Sequence, residues 1–340
     1  MLSRWIMVVV LALLATPAPA HAQTTADWDK VIAAAKREGS VVVYSAYVSP
    51  DTHDAIAKAF DKKYGIKIDL LSARGGEIRE RARTEHVAGR FLADVSHNAM
   101  TLMETIWREE KNLIPHGGVP AASRVRADFK ARVTEFWVPI FTINYGFLVN
   151  TRLVKAGEEP KSWADLLDPK WKGRILSDET RASGGGRVMF HMTYDKFGRE
   201  FHEKLAQQNL VFARDYREST RRVARGEYPI YIPLILSDMP NLKGLPVTYV
   251  IPAEGVSYGS YSAAVFKNPP HPNAARLLVD FYLSDEVQTI YARSAHGIMV
   301  DKIAEKLAPE IEALANVKPL VAEDFSTIQE RLDQAQAIYK

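Results

Sequence analysis

The residues best suited to hold a small charged solute lie in Thr180-Arg-Ala-Ser-Gly-Gly-Gly-Arg187, where Ser183, Gly184, Gly185 and Gly186 sit between two arginines. Glycines let backbone approach a ligand closely. The first N–H groups of a helix lack internal partners and carry the positive end of its dipole, so an anion is favoured there. Arg74, followed by Gly75, and Arg214 add guanidinium forks that match carboxylate or phosphate oxygens two at a time. Ser45, Tyr47 and Asn98 supply hydroxyl and amide groups, while Tyr145 and Tyr261 supply aromatic walls with a polar tip. This is the chemistry of binding rather than of catalysis. H-E-x-x-H and G-x-x-x-x-G-K-[ST] do not occur, no nucleophile elbow is read, and the nine histidines lack metal-ligand spacing. No cofactor and no metal are expected. A secreted hydrolase assembled from distant residues is the rival reading from another class.

In open α/β sheets, ligands collect beyond the carboxyl ends of strands, and that rule is what selects these residues. Ser40–Ser45 reads as a buried strand. Ser49-Pro50-Asp51 opens a helix, with proline in its first turn, that runs to a stop at Gly65. Residues 66–71 form a second strand, 77–88 a second helix and 93–96 a third strand. Phe136 to Asn150 is a long extended run, too β-branched and aromatic for helix, and Pro139 suits it only at an edge or an interruption. A strand leaving one sheet and entering another fits both features. Residues 247–266 make a second such run, interrupted by Pro252, Gly255 and Gly259. Between them lie strands near 174–177, 210–214 and 228–233 and helices near 185–197 and 219–225. The alternation is that of an α/β chain that goes out to a second lobe and returns.

Residues 1–22 have the form of a secretory leader. Arg4 precedes the apolar run Trp5–Leu14, and Ala20-His21-Ala22 offers a small-residue cleavage site before Gln23. The run is shorter than the roughly 20 residues that span a bilayer. The chain has no cysteine to carry a lipid, so an exported, unanchored periplasmic protein is expected, without disulfides. Lysines and arginines number 44 against 41 acids, a net charge of +3, which argues against nucleic acid as partner. The basic runs 79–83 and 217–225 alternate with acids or apolar residues at helical spacing and read as solvated helix faces.

Pro160-Lys-Ser-Trp-Ala-Asp-Leu-Leu-Asp-Pro-Lys-Trp-Lys-Gly173 resembles the P-x-S-W-x-D-L-x-D-P-x-W-K-G signature of the family 1 extracellular solute-binding proteins. Tyr145 and Asn150 sit where that family has a "YN" strand, and Asn268–Ala275 with Leu283–Gln288 is similar to its N-P-x-A-A … L-S-x-E-x-Q helix. The resemblance implies a type II periplasmic binding protein fold, with two α/β lobes joined by hinge strands. Residues 23–138 plus 256–303 would form lobe 1, and 139–255 plus 304–340 lobe 2. It implies a monomer that takes a small-molecule ligand in the interlobe cleft and delivers it to the permease of an ABC importer. Trp163, Leu166 and Trp171 read as packing residues rather than ligand contacts. The nearest branch is ferric-iron-binding-like and also contains thiamine, polyamine, phosphonate and sugar-phosphate binders. Its ferric members carry adjacent tyrosines soon after a "G-E" pair. Here Gly226-Glu227 is followed by Tyr228 and Tyr231, and no Tyr-Tyr pair exists. An anionic solute, bearing phosphate or carboxylate, is the expectation; ferric iron and thiamine are the alternatives.

Overall fold

The computed structural model describes residues 25–46, 49–182 and 184–340. The expected leader at 1–22, Tyr47 and Ser183 lie outside them. Eleven strands form one continuous curled sheet: β1 (Ser40–Ser45), β2 (Lys67–Ser72), β3 (Val95–Ala99), β4 (Leu113–Ile114), β5 (Trp137–Asn150), β6 (Ile175–Asp178), β7 (Val211–Ala213), β8 (Ile230–Ile235), β9 (Val247–Val250), β10 (Ser257–Phe266) and β11 (Gly297–Ile298). The helices are α1 (Thr25–Glu38), α2 (Pro50–Tyr64), α3 (Gly75–Val87), α4 (Met100–Thr105), α5 (Gly185–Ala206), α6 (Tyr216–Arg225), α7 (Pro272–Phe281), α8 (Asp285–Arg293), α9 (Pro309–Ala315) and α10 (Ile328–Ile338).

The main strand order is β2-β1-β3-β10-β5-β8-β6-β7. Two parallel sets, β2-β1-β3 and β8-β6-β7, are joined by the long strands β10 and β5. β5 pairs with β10 along its first part and with β8 and β9 along its last. Each of the joins β3/β10, β10/β5 and β5/β8 is antiparallel, so the two sets run in opposite directions. β5 therefore leaves the first set heading toward the second. The carboxyl ends of β1–β3 point toward those of β6–β8, and this is the geometry that makes a crevice between two lobes.

All fourteen residues of β5 are buried, as a strand covered on both faces must be, and the register shift at Tyr261/Ser262 lets the ribbon bend where it crosses. The other run, 247–266, is not one crossing strand. It breaks into β9 and β10 because Gly255 turns the chain at φ +126, with its Cα packed so closely on Lys318 that a Cβ would lie 2.9 Å from that carbonyl oxygen. Trp163 and Trp171 are 1% and 3% exposed and Leu166 is fully buried. The Trp163 indole donates to the Gly255 carbonyl at 3.0 Å and meets Phe147 edge-on. These are packing residues of the fold. The basic runs lie on α3 and α6 and pair with acids: Arg79 with Glu110 at 2.6 Å, Arg83 with Glu80 at 2.6 Å and Arg225 with Glu218 at 2.7 Å. No helix of the described residues is long and apolar enough to cross a membrane.

Candidate functional site

On the first lobe's rim, Ser45 ends β1 fully buried, and its hydroxyl lies 2.9 Å from His97 Nδ1. The two residues are register partners across β1 and β3. Asn98, one position on, faces the opposite side of the sheet, where its amide donates to Ser96 Oγ at 2.7 Å and its Oδ1 has no partner among the described residues. Arg74 is the exposed residue preceding α3, and makes no ion pair among the described residues. Gly75 packs so that a Cβ would stand 3.4 Å from Leu102 and 3.6 Å from Ala46.

On the second lobe's rim, β6 ends in Asp178 and α5 begins at Gly185. The Gly186 N–H donates to Asp178 Oδ2 at 2.7 Å. Part of the expected anion seat on this helix is therefore taken by the protein's own carboxylate. Burial raises the Asp178 pKa while the Gly186 and Glu179 N–H groups lower it. Gly184 and Gly185 flank the same carboxylate, and a Cβ on Gly185 would come 3.1 Å from the Tyr145 ring. Arg214, exposed after β7, makes no ion pair among the described residues and helps lower the Glu179 pKa.

Between the rims stand the two tyrosines. Burial pushes the Tyr261 phenol up to about 12; its ring stacks on Phe141 at 4.9 Å and meets His97 edge-on. Tyr145 is raised by burial above all, then by Tyr261, Asp178 and Glu323. The crossing strands thus bring Ser45, Tyr145, Gly185 and Tyr261 into one neighbourhood, whereas Asn98 lies on the other face of the sheet and Arg74 and Arg214 stand exposed on the rims.

Sequence reasoning missed four residues here. His97 escaped because strand alternation sends it and Asn98 to opposite faces, and the carboxyl-end rule cannot choose between faces. Asp178 ends the strand that precedes the glycine run, a position from which a short acid can cap the next helix. Arg187 was noted only as a flank of the glycines. It is half-buried in the first turn of α5, its Nε has no partner among the described residues, and burial lowers its pKa. With Thr101 of α4, His191 and the acids Asp195, Glu323 and Asp324 it lines one cavity. Glu323 arrives from the C-terminal segment: its Oε1 accepts from the Ser260 N–H at 3.3 Å, its Oε2 is buried without a partner among the described residues, and burial raises its pKa to about 7. No local pattern announces a residue brought in from so far along the chain.

Gly255-Val256-Ser257-Tyr258-Gly259 does match G-x-S-x-G as a string, against the reading that no nucleophile elbow occurs. Ser257 is fully buried and begins β10, with strand rather than helix after it, so it makes no elbow. Among the described residues no three His, Asp or Glu side chains gather as metal ligands.

The architecture is shared with known proteins. The chain is 23% identical over 253 residues to a putative 2-aminoethylphosphonate-binding periplasmic protein of Salmonella typhi, covering 71% of this chain and 72% of that one. Iron-bound HitA from Pseudomonas aeruginosa superposes with a TM-score of 0.68 at 20% identity, over 88% of this chain and 99% of that one. The periplasmic binding protein AfuA from Actinobacillus pleuropneumoniae, with fructose-6-phosphate bound, does so with a TM-score of 0.63 at 22% identity, over 88% and 96%. The profile of one family matches residues 110–323, well over half of the chain, and the chain therefore belongs to the bacterial extracellular solute-binding proteins.

Proposed function

We propose that the solute captured by this protein carries an anionic group, a phosphate, phosphonate or carboxylate, held in the crevice between the lobes by arginines. The chain is a substrate-binding component of an ABC importer and not an enzyme. The observation that supports the choice of an anion is Arg187: a half-buried cation on the crevice cavity, without an ion-pair partner among the described residues. Burial of an unpaired charge is costly, and an incoming anion offsets that cost. Arg74 and Arg214, unpaired on the opposing rims, add guanidiniums that closure can bring to the same group. The neighbouring proteins include one described as bound to a sugar phosphate and one named for a phosphonate. Iron in the tyrosinate manner has less support, since Ile235 and Leu236 stand near the place of the second tyrosine and the phenols of Tyr145, Tyr216 and Tyr231 are all raised by burial. Export to the periplasm, a monomeric state and handover to a permease complete the proposal.

Calorimetry against phosphorylated compounds, phosphonates, carboxylates, thiamine and ferric citrate tests it, with small-angle scattering to follow closure. Arg187→Ala, Arg74→Ala and Arg214→Ala should each weaken the tightest anion by about tenfold to a hundredfold, the value of one charge-assisted hydrogen bond. Tight binding of thiamine or iron, unchanged in all three variants, would refute the reading.

A further inference from the structure

Apart from the cavity that Arg187 lines, a second, smaller pocket sits on the first lobe where α2 begins. Ser49, Thr52 and His53 from the start of α2, His97 from β3, and Tyr282 and Tyr291 line it. Three features of this wall call for negatively charged oxygen.

The first is the helix. α2 has fifteen residues and Pro50 at its start, and the Ser49 side chain makes no cap hydrogen bond. The first-turn N–H groups keep the dipole's positive end turned to this cavity. Asp51 and Asp54 of the first turns are both exposed, and the Asp54 charge acts on His53, raising its pKa against the larger lowering by burial.

The second is His97, only 8% exposed, whose Nε2 has no partner among the described residues. Its ring is held in place by stacking on Tyr282 at 5.4 Å and by edge contacts with Phe141 and Tyr261. Its Nδ1 is engaged by the Ser45 hydroxyl at 2.9 Å. When that hydroxyl donates, the ring hydrogen resides on Nε2 and points away from Ser45, so the imidazole becomes a neutral donor. Burial keeps the ring neutral, with a pKa of about 3. The third feature is the polar set Ser49, Thr52 and His53; the Thr52 hydroxyl shares a hydrogen bond with Ser294 Oγ at 2.9 Å, and it can donate to a bound oxygen when Ser294 is the donor of that bond.

We propose that this pocket is a second binding subsite, specific for a tetrahedral oxyanion such as phosphate or phosphonate, with His97 Nε2–H, the α2 N-terminus and the Ser49 and Thr52 hydroxyls as its donors. It stands apart from the arginines of α5 and the rim. A solute with oxyanion character at one end and a second polar group at the other would engage both.

Imidazole nitrogen NMR on the intact secreted protein tests this without any substitution. Added inorganic phosphate or methylphosphonate should move the His97 and His53 ring resonances, and the His97 nitrogens should report the hydrogen on Nε2. The shifts should persist in Arg187→Ala, because the subsite does not depend on that arginine. Ser49→Ala, which removes a hydroxyl that caps nothing, should weaken phosphate by about threefold to tenfold with an unchanged melting temperature. Phosphate that binds while both rings stay still, or a His97 ring protonated on Nδ1 with its Nε2 bare, would overturn the subsite and leave the arginine crevice standing. Ring shifts with acetate but not with phosphate would overturn it too. The converse result, His97 shifts with affinity indifferent to all three arginines, would sustain the subsite and remove the crevice reading.

Discussion

Asp178 Oδ2 accepts a hydrogen bond from the Gly186 N–H at 2.7 Å, so the helix that the glycine run opens is already served by a carboxylate from the strand before it. The glycine itself answers to the same junction. A Cβ on Gly186 would lie 2.6 Å from the Asp178 carbonyl oxygen and 2.7 Å from that of Glu179. The close approach that Gly186 permits is of α5 to β6, whatever ligand the crevice holds.

Gly186→Ala should therefore destabilise the apo protein by about 1–3 kcal/mol, the usual cost of forcing extra volume into a packed place. Thermal unfolding without ligand is the measurement. An apo melting temperature equal to wild type, with affinity alone reduced, would return Gly186 to a purely ligand-facing role.

Of the four histidines buried among the described residues, three stay neutral far into acid: His97 and His202 with pKa values of about 3 and His296 of about 4, all lowered chiefly by burial. Unfolding returns each to about 6.5, so the unfolded chain binds more protons below that pH. Their contribution to stability is present above pH 6.5 and is lost as pH falls toward 4. With three protons taken up, the slope reaches at most about 4 kcal/mol per pH unit. Denaturant melts from pH 7 to pH 4.5 should show this steep decline, and His202→Gln should flatten it by about a third.

Glu323 behaves in the opposite sense. Burial raises its pKa to about 7, so the fold favours the protonated acid. Its contribution is fully present below the ordinary carboxyl pKa and is lost as pH rises through 7. Glu323→Gln, neutral at every pH, should be more stable than wild type at pH 8 and no more stable at pH 4.5. Equal stability differences at the two pH values would show that the carboxyl is ionised and paired instead.

Trp163→Ala should cost about 3–5 kcal/mol, since the indole is 1% exposed, packs on Phe147 and donates to Gly255. The molecules that remain folded should bind solute with wild-type affinity. A selective loss of affinity with little loss of stability would place Trp163 in the crevice.

What the sequence determined by itself is what local chemistry can dictate. The β-branched and aromatic run at 136–150 became β5 almost residue for residue, and Pro50 and Gly65 bound α2 as proline and glycine bound helices generally. The signature around Trp163 announced the family because packing residues recur with the fold they pack. Tertiary structure decided what lies on which face and what arrives from afar. His97 and Asn98 are adjacent in sequence yet lie on opposite faces, and only the register with β1 and β10 sets which one meets Ser45. Asp178 could reach Gly186 only once β6 and α5 were docked. Glu323 reaches Ser260 across 63 positions of chain, and such contacts cost closure entropy that no local pattern encodes.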